Sequence, residues 1–135
     1  MKQPSSEPDH LSAIEDDKFS HFLGIAVDTV RDGYALTRLT VRPELCNSFG
    51  SAHGGTIFSL ADQALAVASN AGDRKSVAVS VTIDYVRPVE VGQTIVAEAK
   101  REQSKRVLSL YTIKIRTALD VPIAQAQALV YHLDT

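Results

Sequence analysis

The residues best suited to chemistry lie between Asn47 and Ser69, in Asn-Ser-Phe-Gly-Ser-Ala-His-Gly-Gly-Thr-Ile-Phe-Ser-Leu-Ala-Asp-Gln-Ala-Leu-Ala-Val-Ala-Ser. Ile57, Leu60, Ala61, Ala64, Leu65 and Ala68 recur at the spacing of a helix that buries one face. On that wheel Asp62 falls at the edge of the apolar stripe, close to Phe58 and Ser69 and beside Leu65. A carboxylate there is costly to desolvate unless it has a task. Upstream, Gly50, Gly54 and Gly55 sit in a loop that opens into the same helix, whose first N–H groups lack intrahelical partners. A base about two turns into a helix, with oxyanion donors at the helix start, is a pairing suited to acyl chemistry.

Several elements must position that segment. Pro8, Leu11, Ile14, Phe19, Phe22, Leu23 and Gly24 mark a short amphipathic helix after a polar, loose start over residues 1–7. Two β-prone runs, 25–30 and 34–41, flank Arg31-Asp32-Gly33, and Asp-Gly between such runs predicts a hairpin. Pro43 closes the second run. Past the central helix, Asn70-Ala71-Gly72-Asp73 is a stop signal. Val77, Val79, Val81, Ile83 and Tyr85 then recur with period two, the clearest strand in the chain. Three more strands are predicted over 94–101, 106–117 and 123–132. The order of helix, two strands, long helix and four strands contains no strand–helix–strand alternation, so a parallel doubly wound sheet is excluded. The fold class is α+β, a six-stranded antiparallel sheet curled around one central helix, in a single domain over residues 1–135.

Composition narrows the function. A net charge of -2, a pI near 6.0 and no basic run give no electrostatic footprint for nucleic acid. With no stretch of 18 apolar residues and no leader pattern, neither a membrane span nor export is expected, so a cytoplasmic location is. The single cysteine, Cys46, beside Leu45, reads as a small buried hydrophobe rather than a nucleophile. His10, His21, His53 and His132 show no ligand spacing with one another or with Cys46, so no metal is expected. The chain is short for a sheet that must close on itself, which points to a partner subunit.

The pattern Asn-x-x-Gly-x-x-His-Gly-Gly-x-x-x-x-Leu-Ala-Asp over Asn47 to Asp62, continued by Thr82-Ile83-Asp84-Tyr85-Val86-Arg87-Pro88 and Gly92, resembles the hotdog-fold thioesterases of the phenylacetate-degradation (PaaI-like) group. The resemblance spans the chain from about Phe19 onward. It implies the hotdog fold, homodimers whose sheets join edge to edge, frequently paired as homotetramers, and hydrolysis of acyl-coenzyme A thioesters without a cofactor.

The same resemblance implies roles residue by residue, and each stands beside a plainer reading. Asp62 would activate water or attack the thioester itself; otherwise it is a surface acid. Gly54 would aim its N–H at the carbonyl oxygen with Gly55 beside it, although either glycine could serve only the turn. Asn47 would bind the thioester oxygen or hold the loop, and His53 would bond within the loop. Some relatives place a serine on the strand after the helix; Ala78 stands at that position, leaving Ser69, Ser76 and Ser80 as weak candidates for a helper hydroxyl. Lys105 and Arg106, in Gln103-Ser104-Lys105-Arg106, would meet the phosphates of coenzyme A, with Arg87 and Tyr85 near the nucleotide or pantetheine; the plainer reading is a solvated turn. Phe58 would touch an aryl or medium-length aliphatic acyl group. Two other functions remain. An enoyl-CoA hydratase of this fold would carry a His five residues after the Asp, where this chain has Val67. A non-catalytic acyl-CoA sensor would usually add a DNA-binding segment, for which residues 1–20 are too short and too acidic.

Overall fold

The computed structural model describes residues 8–133; the loose start expected over 1–7 lies outside them. In chain order the elements are α1 (Asp9–Glu15), α2 (Lys18–Leu23), β1 (Ala26–Arg31), β2 (Tyr34–Thr40), a 3-10 turn (Pro43–Leu45), α3 (Gly54–Ser69), β3 (Ser76–Tyr85), β4 (Thr94–Ser104), β5 (Leu108–Thr117) and β6 (Pro122–His132). The six strands form one sheet in the order β1-β2-β4-β5-β6-β3, with every pairing antiparallel. After α3 the chain therefore crosses to the far edge before filling the middle of the sheet. This is the hotdog architecture, a sheet wrapped on one helix.

The helix is held because the sheet's inner face is apolar and partly small. Leu39, Ile95, Tyr111, Ile113, Ile115 and Val130 are fully buried, and Ala97, Ala99, Ala126 and Ala128 leave room for α3 to come close. From the helix, Leu60, Ala61, Ala64, Leu65 and Ala68 meet them. Burying one Leu or Ile stabilises the fold by about 1.5–3 kcal/mol, so these contacts and not helix propensity decide that α3 forms. Thr37 Oγ1 donates to the Leu60 carbonyl at 3.2 Å, tying β2 to mid-helix. At the helix end Asn70 donates from Nδ2 to the carbonyls of Ala66 (2.9 Å) and Ser76 (3.1 Å), and its Oδ1 accepts from the Ser76 N–H (2.9 Å). One side chain thus stops α3 and starts β3.

Three local features that the sequence reading did not specify have physical causes. The N-terminal helix is broken at Asp16-Asp17 because the Asp17 carboxylate accepts the Ser20 N–H at 2.9 Å, capping a second helix instead of continuing the first. Gly24, at φ +86°, then ends α2. The hairpin turn docks on the helix rather than standing free: the Gly33 N–H donates to the Ala68 carbonyl at 3.1 Å. A Cβ at Gly33 would stand 2.8 Å from the guanidinium of Arg101, which itself pairs with Asp32 at 3.0 Å. Finally, the regular alternation of β3 does not produce one buried face. Val77 and Val79 are 44% and 57% exposed, because β3 is a sheet edge and its register against β6 shifts between Ala78 and Ser80.

Candidate active site

The loop before α3 is held by its own polar side chains. Asn47 Oδ1 accepts from the N–H groups of Phe49 (2.9 Å) and Ser51 (3.1 Å), which fixes the amide and leaves Nδ2 unengaged among the described residues. His53 is the N-cap of α3: its Nδ1 accepts the Gly55 N–H at 2.8 Å, so a neutral ring carries its proton on Nε2. A Cβ on Gly55 would come within 3.0 Å of that nitrogen, so the absent side chain at 55 serves the cap.

These bonds decide which donor remains. The Thr56 and Ile57 N–H groups reach the His53 carbonyl at 2.9 and 3.2 Å, and that of Gly55 reaches the ring. Among the described residues the Gly54 N–H alone, of those on the first helical turn, has no partner. Gly54 lines a cavity of about 460 Å³ with Asn47, Phe49, Tyr85 and Arg87, and its carbonyl accepts from the Tyr85 hydroxyl at 3.1 Å. Its φ is not positive, and a Cβ there would come no closer than 3.6 Å to Tyr85. Neither the turn nor packing requires glycine at 54, and its N–H opens on the cavity.

Asp62 lies eight residues further along α3, about 12 Å along the axis. It borders two other cavities, of about 450 and 320 Å³. The first is walled by α1, α2 and the Phe58 side of α3, and the second by Leu65, Ser69, Ser76 and Ala78. The Asp62 side chain keeps contact with solvent, yet the protein around it raises its pKa above the ordinary carboxylate value, and the negative charge of Asp17 raises it further. A carboxylate held in this way is a stronger base than a free one.

The structure therefore brings the expected residues together in two groups within one chain. Asn47, His53, Gly54, Gly55, Tyr85 and Arg87 cluster at the end of β3, with His53 and Gly55 engaged in the cap. Asp62 lies nearer its start, sharing a cavity with Ser76 and Ala78, and Phe58 joins Asp62 in the cavity walled by α1 and α2. Lys105 and Arg106, both exposed, belong to that second end: the Arg74 guanidinium donates to their carbonyls at 3.4 and 2.6 Å, and Arg74 precedes β3 by two residues. The two groups lie toward opposite ends of β3, with Gly54 and Asp62 about 12 Å apart along the axis of α3. Of the candidate hydroxyls, Ser76 is bound to a ring nitrogen of His132 at 2.8 Å and Ser69 bonds back to the Ala66 carbonyl at 3.4 Å, while Ser80 is exposed on the strand. Val67 is fully buried, so the place where a hydratase would carry its His belongs to the core. Sequence reasoning missed Asp17, whose signal was an N-cap Asp with a helix running from Lys18 to the Gly24 stop.

Comparison with known proteins bears on the fold and the family. The profile of the thioesterase superfamily matches residues 49–122. The acyl-coenzyme A thioesterase PaaI of Escherichia coli K12 is 37% identical over 101 residues, covering 75% of this chain and 72% of that protein. The solved structure of the E. coli PaaI protein from the phenylacetic acid degradation operon superposes with a TM-score of 0.88 at 31% identity, over 91% of this chain and 89% of that one. A mutant of the phenylacetic acid degradation protein PaaI from Thermus thermophilus gives 0.83 at 32%, over 87% and 100%. With the profile matching more than half of its length and a relative 37% identical, the chain belongs to the thioesterase superfamily.

Proposed function

We propose that this protein hydrolyses acyl-coenzyme A thioesters carrying an aryl or medium-length acyl group, in sites shared between two subunits. The observation that carries the reading is the Gly54 N–H, left without a partner at the start of a capped helix and opening on a cavity, with a base of raised pKa further along that helix. Asp62 takes a proton from water as the water oxygen bonds to the thioester carbon, and the oxyanion accepts the Gly54 N–H and the positive end of α3. The C–S bond then breaks and the thiolate takes that proton, giving free acid and coenzyme A. Attack by Asp62 itself, through an anhydride that water opens, uses the same groups; a single turnover in ¹⁸O water tells the two apart.

Gly54 and Asp62 face different cavities in one chain, so one site needs both from different copies. Antiparallel pairing of two β3 edges about a two-fold axis lays the Ser76 end of one copy beside the Tyr85 end of the other, and with it Asp62, Lys105 and Arg106 beside the partner's Gly54. Lys105 and Arg106 supply cations for the phosphates there. The test is release of free thiol from a panel of acyl-CoAs; no release from any of them refutes the hydrolase. For the sharing, Asp62→Asn and Asn47→Ala chains are unfolded and refolded together. About half the dimers are then hybrids with one intact site, so roughly a quarter of the parental activity returns. Hybrids seen by mass spectrometry without regained activity refute the shared site.

A further inference from the structure

Helices α1 and α2 precede the segment that the superfamily profile matches, yet they form one wall of the larger Asp62 cavity. Ala13 and Ile14 of α1 and Phe19 of α2 face Phe58 and Ala66 of α3 across about 450 Å³, within the range of small-molecule sites. The polar neighbours are largely occupied: Gln63 Nε2 donates to the Ile14 carbonyl at 2.9 Å, and Ser59 Oγ donates to the Gly55 carbonyl at 2.7 Å. Asp17 uses Oδ2 to cap α2, which leaves Oδ1 as an acceptor with no partner among the described residues. No Lys, Arg or His is among the residues that line this space, and its two ionisable groups are both carboxylates.

Given the thioesterase reading, on which this step rests, a cavity beside the base is where the acyl group goes. We infer that the α1–α2 pair is the acyl-selecting wall of the site, and that Asp17 bars acyl groups ending in a negative charge. An apolar or aryl tail fits Phe19 and Phe58. A tail ending in a carboxylate would lie against Asp17 and Asp62, with no cation among the described residues that line the cavity, and like charges brought together there exclude a ligand strongly. Burial first, and then the charge of Asp17, raise the pKa of Asp62, which places Asp17 within electrostatic reach of the base.

The test uses the Asp62→Asn protein, in which turnover is slowed about 10²-fold or more and Asp17 is the charge left on the wall. Calorimetry compares hexanoyl-CoA with adipoyl-CoA, equal in length and different in terminal charge. The expected preference for hexanoyl-CoA is at least about tenfold, and it falls toward one in Asp62→Asn/Asp17→Asn. Asn caps a helix as well as Asp does, so α2 stays in place. An unchanged ratio overturns the role of Asp17, and failure of the Asp62→Asn protein to bind either thioester overturns the cavity assignment. Ala13 is exposed on α1, so Ala13→Phe folds and fills the wall, and the preferred acyl chain should shorten; the same chain-length profile as the parent overturns the wall. If the parent protein binds both thioesters and cleaves neither, hydrolysis is refuted while the binding ratio still decides this inference.

Discussion

Gly54→Pro removes one hydrogen-bond donor and little else. Proline is favoured at the first position of a helix, which Gly54 occupies. The residue before a proline must be extended, and His53 already is, at φ -60° and ψ 141°. The cap from His53 to the Gly55 N–H is untouched, and no backbone bond is lost, because the Gly54 N–H makes none among the described residues. Thermal unfolding should therefore stay near that of the parent. Hydrolysis should not: losing one oxyanion donor costs on the order of 10²–10³ in kcat, or about 2.7–4 kcal/mol of transition-state stabilisation. Gly54→Ala is the control, since it keeps the N–H and its Cβ meets nothing closer than 3.6 Å. The assay is thiol release under saturating acyl-CoA, beside calorimetric unfolding of each variant. A folded Gly54→Pro enzyme with kcat within about twofold of the parent would falsify the donor assignment. So would an alanine variant as slow as the proline one, since the loss would then come from bulk.

Other consequences follow from the same geometry. Asp62→Asn should lower kcat by about 10²-fold or more without lowering the unfolding temperature near neutral pH. Burial, with Asp17, holds the Asp62 pKa above its unfolded value, so its contribution to stability is full below the unfolded pKa and is lost as pH rises through the folded one. A clear drop in unfolding temperature would show that the ionised acid supports the fold instead. Lys105→Ala with Arg106→Ala should raise KM for acyl-CoA far more than for a pantetheine thioester, and the difference should shrink with salt; equal changes for both substrates remove these cations from the site. His132 is buried between the hydroxyls of Ser76 (2.8 Å) and Ser109 (2.7 Å), and burial, then Arg74 and Arg101, lower its pKa below the ordinary 6.5. Its neutral form therefore adds stability above the unfolded pKa, and that stability is lost as pH falls from about 6.5 through the folded value. Denaturant titrations from pH 8 to 5 should show the loss in the parent and a flatter profile in His132→Asn.

What the sequence made legible was what repeats or punctuates. The period of α3, the Asp-Gly turn and the Asn70 stop each act through neighbours a few residues away, so they can be read in one dimension. The helix break at Asp17 was harder, because Pro8-to-Gly24 periodicity runs through it and only the side-chain cap competes with it. The roles of Gly54 and Gly55 could not be divided from the sequence, since that division depends on which N–H the His53 ring reaches. The facing of Asp17 toward the Asp62 cavity is a tertiary fact, made by α2 folding back on α3, and no spacing rule spans the 45 positions between them.

The two edges of the sheet carry the argument for assembly one step further. A free edge invites pairing, and chains that must avoid it use charge and bulges. The β1 edge has both: Asp28 and Arg31 are exposed on it, and its register against β2 shifts between Val27 and Thr29. The β3 edge is unlike it, with ten residues, one charged side chain at Asp84 and two valines left open. An edge left so unguarded in a folded chain is one that is normally covered. In the proposed dimer a second copy would cover it and would also join the two half-sites that the single helix holds about 12 Å apart. On that proposal one contact serves both the bare edge and the divided site, and substitutions that guard β3, such as Val79→Lys, should abolish dimers and hydrolysis together while each chain keeps its own core; a monomeric Val79→Lys protein with parental hydrolysis would refute it.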